Sequence, residues 1–255
     1  MRPVSGTLEE LPATRIGCVD VPARIERDRY FKELTYCELS ALFAGPQKPA
    51  TFAKWAEVAP AQTLGLVAPF PITHRKAPES AKPWDHDATT GDFRDSPLAR
   101  AALAELVTAI KQTSATCAVF RSADNFSASA ANRDQLTHFF RDIATAELLG
   151  CERVWVPGGL WDLRTAVKFA TELGITCAFD PLVRDPNDPP EIFYNLEAPS
   201  LYLRVESARS GLLRNEKLED LVALIEHYES LPVTVAFASP ERWQDARNLK
   251  KLLSD

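Results

Sequence analysis

Apolar residues in this chain gather in short runs rich in β-branched and aromatic side chains, the pattern of buried strands. The runs fall at 15–21 (RIGCVDV), 36–43 (YCELSALF), 63–69 (TLGLVAP) and 116–122 (TCAVFRS). They continue at 152–158 (ERVWVPG), 176–181 (TCAFDP), 201–207 (LYLRVES) and 233–239 (VTVAFAS). Between most of them the apolar spacing changes to three and four residues, which predicts helices at 49–59, 96–112, 131–150, 163–174, 215–230 and 241–253. Ser96 followed by Pro97 is a helix start signal, and Gly150 and Gly174 sit at helix ends. The crossover after Asp180 carries no helical pattern; it is a loop rich in proline and acid.

Strand and helix alternating in this way predict a parallel sheet with crossover helices. Eight units in 255 residues fit a single (β/α)8 barrel. An open doubly wound sheet is disfavoured, because GCVDVPARIERD after the first run has no glycine-rich phosphate loop. The reading assigns 14–255 to one barrel domain, with a long loop after the third strand, and 1–13 to an N-terminal extension. No run is apolar for the ~20 residues a membrane helix needs. The opening segment lacks the apolar core of a signal peptide and carries Glu9 and Glu10, so a cytoplasmic location is expected.

Composition changes this picture little. The net charge of −6 argues against a nucleic-acid partner, whose affinity comes from phosphate neutralisation. Five cysteines without a C-x-x-C pair argue against a disulfide framework, and each lies in or beside an apolar segment as a small core residue. WDHD at 84–87 lies in a loop with no second ligand pattern, so no metal site is read. His138 and His227 fall in helical patterns, as surface or packing residues. No G-x-S-x-G is present and no cysteine has an evident partner, so a nucleophilic triad is not supported. Trp155 and Trp161 beside PGG read as packing or as an aromatic wall.

In a (β/α)8 barrel chemistry sits where strands end. Glu38 and Ser40 are expected on one face, as are Tyr202, Arg204 and Glu206. A charge in an apolar strand is costly unless paired, so Glu38 and Arg204 are expected to meet at the barrel mouth. That pair can be a structural ion pair or one that orients a ligand. His74, Arg75 and Lys76 read either as the lip of a site or as a solvated loop.

The stretch YFKELTYCELSALFAGPQKPATFAKWAEVAP resembles the YecE-like proteins, the domain of unknown function 72 (DUF72) family of TIM barrels. In the family's V-E-I-N-S-T-F-Y strand, Glu38 stands on the glutamate, Ser40 on the asparagine and Phe43 on the phenylalanine. Thr51, Phe52, Trp55 and Pro60 follow in register with its P-E-T-F-x-x-W helix and terminal proline. Ala68, Pro69, Ile72, Thr73 and His74 match F-x-V-K-A-P-x-x-I-T-H, with Val67 in place of the lysine. Asp180 matches the aspartate ending the sixth strand, and Arg204 is kept in the seventh. Arg121 replaces a glutamine, Trp161 alone survives from E-F-R-H-x-S-W, and Glu206 and Ser207 replace histidine and glycine. The resemblance spans residues 14 to 253; it implies a TIM barrel and no particular reaction.

Two functional expectations follow. The first is a small anionic or phosphate-bearing ligand at the mouth, held by Thr73, His74, Arg121 and Arg204, with Glu38 or Asp180 as general base. Arg75, Lys76, Arg209 and Arg214 add to the cationic supply. The second is a barrel kept for binding or scaffolding after losing its reactive residues, suggested by Val67, Trp155, Pro157 and Glu206. The sequence specifies no cofactor and no oligomeric state.

Overall fold

Successive side chains of a strand point to opposite faces, so a polar residue in an apolar run is committed to one side of the wall. The computed structural model describes residues 14–80, 82–158, 161–189, 191–206 and 211–254. The residues read as an extension, 1–13, lie outside these. The strands are β1 (Thr14–Val19), β2 (Tyr36–Leu39), β3 (Leu64–Val67) and β4 (Cys117–Arg121). They continue as β5 (Glu152–Val156), β6 (Thr176–Phe179), β7 (Leu201–Val205) and β8 (Val233–Phe237). All pair in parallel in chain order, and β8 returns to β1, from Thr14 opposite Val233 to Cys18 opposite Phe237, to close a (β/α)8 barrel.

Alternation sorts the two faces. Cys37, Leu66, Phe120, Trp155 and Leu203 point outward into the layer between sheet and helices. Tyr36, Cys117, Val119, Val154, Ala178 and Tyr202 fill the interior. Cys37, Cys117 and Cys177 are all buried, as expected of small core residues. Large residues inside demand small ones opposite. A Cβ added at Gly65 would lie 2.0 Å from the Tyr36 hydroxyl and 2.8 Å from the Cys117 sulfur, so this glycine makes room for the phenol.

Helices cover the outside: α1 (Arg27–Glu33), α2 (Ala41–Ala44), α3 (Pro49–Ala56), α4 (Phe70–Thr73) and α5 (Pro97–Thr113). The second half adds α6 (Ala130–His138), α7 (Ala146–Leu149), α8 (Leu163–Glu172), α9 (Asn215–His227) and α10 (Arg242–Leu252). Ser96 caps α5 by accepting from the Ala99 amide, and Asp162 caps α8 by accepting from Thr165. Between β6 and β7 the described residues hold only a 3₁₀ turn, Ile192–Tyr194, in keeping with the expected lack of an α-helix.

Three details differ from the sequence reading. The strand readings overran their C-terminal ends, most at β2, which stops at Leu39 because the chain turns into α2. The helix read over 131–150 is interrupted by a π turn at Phe139–Ile143 and restarts at α7. The wider turn, closed by the Ala144 amide on the Phe139 carbonyl, lets the adjacent Phe139 and Phe140 both pack against Phe93 and Phe120. Finally, α1, α2 and α4 are too short to show a period. Tyr30 of α1 is fully buried, and its hydroxyl accepts from the Cys18 amide and donates to the Tyr36 carbonyl, both at 2.7 Å, bridging β1 and β2.

Candidate functional site at the barrel mouth

Glu38 on β2 and Arg204 on β7 meet inside the barrel as their inward positions require. Arg204 Nε donates to both Glu38 oxygens at 3.0 and 3.2 Å, and Nη2 lies 3.0 Å from Oε1. The carboxylate is 0% exposed and the guanidinium 4%. Nη1 of Arg204 is closed off from solvent, with Glu206 as its second counter-ion. A buried guanidinium between two carboxylates is more than compensated and is fixed in orientation.

Beneath the pair runs a hydrogen-bonded chain with one direction. Ionised Glu38 can only accept, so Tyr202 donates to it at 2.6 Å. The Tyr202 oxygen is then left to accept from Tyr36 at 2.8 Å, and Tyr36 in turn to accept from Cys117 at 3.2 Å. Burial pushes all three groups up: Cys117 to about 12, Tyr36 and Tyr202 well above the ordinary phenol value. They stay protonated at neutral pH, and each bond polarises the next toward Glu38.

Above the pair the chemistry changes. Arg121, the last residue of β4, is half-buried with its guanidinium 5.9 Å from the Phe43 ring centre. Among the described residues it makes no hydrogen bond and no ion pair. Burial first, and the Arg204 charge second, lower its pKa, while Glu38 and Asp124 act in the opposite sense. His74, edge-on to Phe43 at 5.0 Å, is held below its usual range at about 4, by burial first and Arg121 second. It is therefore neutral at pH 7. Its Nδ1 is 2.8 Å from the hydroxyl of Thr73, which is itself fully buried.

A cavity of about 530 Å³ opens beside this cluster, with Arg121, Asp124, Asp180, Arg204 and Glu206 as its charged lining. Asp180 does not face it as a free carboxylate: Oδ1 accepts from the Leu182 amide at 2.9 Å and Oδ2 from the Glu206 amide at 2.8 Å. It ties the loops after β6 and β7 together.

The structure therefore brings Glu38, Arg204 and Arg121 together as expected, and redistributes the rest. Thr73 and His74 sit behind the cavity rather than on it. Of the basic trio, His74 is uncharged, Arg75 is exposed and paired with Asp92, and Lys76 is exposed. Ser40 does not share the Glu38 face, because β2 has ended; its amide and hydroxyl bond Asp20 instead. Asp20 holds the left-handed conformation (φ 56°) for that contact. Trp155 is core, donating to Ser122 at 2.8 Å, and Trp161 alone reaches the cavity. Arg209 lies outside the described residues. Tyr36 and Cys117 were missed as polar partners, although Tyr36 stands two residues before Glu38 and so shares its face. Among the described residues no three His, Cys, Asp or Glu side chains are placed to hold a metal, and no helix is long and apolar enough to cross a membrane.

The fold is similar to that of a DUF72 family protein from Enterococcus faecalis V583, at 12% identity over 95% of this chain and 98% of that one, with a TM-score of 0.69. A DUF72 family protein from Thermotoga maritima MSB8 gives 14% identity over 95% and 99%, with a TM-score of 0.64. D-psicose 3-epimerase from Clostridium cellulolyticum H10, solved with D-tagatose, gives 8% over 94% and 98%, with a TM-score of 0.61. At these identities the likeness is one of fold, and the first two carry the family name that the sequence motifs resemble. No family model and no curated protein matches the chain.

Proposed function

We propose that this barrel binds a small anionic ligand at its C-terminal mouth, with Arg121 as the charge that attracts it. The observation that carries this reading is a half-buried guanidinium which faces another cation and makes no direct ion pair or hydrogen bond among the described residues. Such a charge is costly until an anion arrives. Arg204 fixes the floor of the site, Asp180 shapes its rim, and Thr73 holds His74 behind it.

Binding rather than proton transfer is the role this geometry favours. Glu38 is sealed beneath Arg204 and Tyr202, and both oxygens of Asp180 are committed to backbone amides. A general base needs a lone pair within reach of substrate. The test is a thermal shift of the full chain with a panel of small anions, carboxylates as well as inorganic phosphate and sulfate. An anion at 100 times its Kd stabilises by about 2.7 kcal/mol, and Arg121→Ala should abolish the shift. No shift at tens of millimolar anion would leave the second reading, a barrel kept as a scaffold, which the sealed state of Glu38 favours.

A further inference from the structure

We propose that the ligand of the mouth is a monoanionic carboxylate carried on an apolar body about the size of an aromatic ring. This rests on the anion-binding reading above and narrows it. Two independent features, charge and wall chemistry, point to the same class.

The lining carries more carboxylates than arginines, so an anion can be taken only locally, on the donors of Arg121, and a second negative charge is opposed. Arg204 already faces Glu38 and Glu206, so it offers no free charge. His74 is neutral. Arg121 is thus the one described cation of the cavity without a direct ion pair. Asp124, Asp180 and Glu206 line the same cavity, and Asp124 lies within electrostatic reach of Arg121 and His74. A carboxylate offsets Arg121 and matches the planar fork of its donors. A dianionic oxyanion brings a second charge against three carboxylates, which like-charge repulsion disfavours.

Apart from Ser122, the rest of the wall is apolar. Val156, Trp161, Leu163, Phe179, Val183 and Phe193 face the space that the charged groups leave. Phe179 and Phe193 stack with their planes 3° apart and centroids 5.7 Å apart, a rigid flat surface. At about 530 Å³ the cavity falls within the range of small-molecule sites, and mostly apolar walls with few polar groups are the usual design of such sites. A bare oxyanion would use the Arg121 edge and leave this wall uncovered. A ring or branched alkyl body attached to the carboxylate removes that surface from water.

The experiment is calorimetric titration of the full chain at pH 7 and constant ionic strength with benzoate, acetate and sulfate. Benzoate should bind at least about tenfold more tightly than acetate or sulfate, the gain expected from burying several ring carbons. Arg121→Ala should abolish benzoate binding, with Arg121→Lys retaining part of it if the alanine variant does not fold. Trp161→Ala should reduce benzoate to the level of acetate while leaving acetate unchanged. Asp124→Asn, at an exposed position, should raise sulfate affinity relative to benzoate. Sulfate binding as tightly as benzoate, and lost in Arg121→Ala, would overturn the carboxylate assignment while leaving an anion site in place. Benzoate binding that survives in a folded Arg121→Ala variant would overturn the assignment of charge. No binding of any of the three would overturn both readings.

Discussion

The barrel is closed by an ion pair at each end, and the two ends are built differently. At the N-terminal end Arg15 donates to Thr116 at 2.7 Å and lies 3.3 Å from Glu152, which also accepts from Thr176 at 2.7 Å and Ser200 at 3.1 Å. Arg15 and Glu152 thus have each other as counter-charge, and both have hydroxyl partners. At the C-terminal end Glu38 and Glu206 both contact Arg204, while Arg121 makes no direct ion pair among the described residues. The cavity at the N-terminal end is the larger, about 690 against 530 Å³, yet its arginine has nothing left to offer. On the proposed reading an unpaired arginine, rather than volume, marks the end that takes a ligand, at the C-terminal ends of the strands.

The largest expected effect comes from removing an anion at each end. Glu38→Ala leaves Nε and Nη2 of the buried Arg204 and the Tyr202 hydroxyl without their acceptor, with only Glu206 as counter-ion, and should cost about 3–5 kcal/mol in chemical denaturation. Glu152, with its side chain 29% exposed, leaves Arg15 near water and hydroxyls, so Glu152→Ala should cost about 1–2 kcal/mol. Equal losses would erase the distinction between the ends. Next, Gly65→Ala drives a methyl into the Tyr36 hydroxyl and should cost about 1–3 kcal/mol by overpacking. A variant as stable as the parent would show that the interior chain has slack.

A smaller effect should appear with pH. The folded pKa of His74, about 4, lies below the ordinary imidazole value of 6.5, so between these values the unfolded chain binds more protons. Stability from this group is therefore fully present above pH 6.5 and is lost as pH falls toward 4. Because His74 is partly exposed, solvent screening reduces the effect to about 1 kcal/mol. The difference between parent and His74→Gln in melts from pH 7 to 4 isolates it, and identical slopes would place the imidazole in water. The smallest effect is that of Arg121→Ala on the ligand-free protein. Removing a cation that faces Arg204 should leave stability within about 0.5 kcal/mol of the parent or raise it slightly. A loss of several kcal/mol would mean that Arg121 has a counter-ion after all.

Much of this frame could be read in the residues themselves. Short apolar runs rich in β-branched and aromatic residues marked the eight strands, alternation put Tyr202 and Arg204 on one face, and the cost of burying a charge implied that Glu38 and Arg204 meet. The remainder depended on geometry that no local pattern records. Where β2 stops decided whether Ser40 faced inward. Which acids were already spent decided that Arg121, and not His74 or Arg75, carries the free charge. A π turn leaves no period to detect, and α1 is too short to show one, though its Tyr30 holds two strands together.

That tyrosine gives one strand an amide whose protection depends on a helix. The Cys18 N–H is capped by a phenol oxygen from α1. Deuterium uptake at this amide should therefore follow the undocking of α1 from the barrel, even while the neighbouring strand pairs stay closed. One backbone proton becomes a gauge of how firmly the first helix is seated.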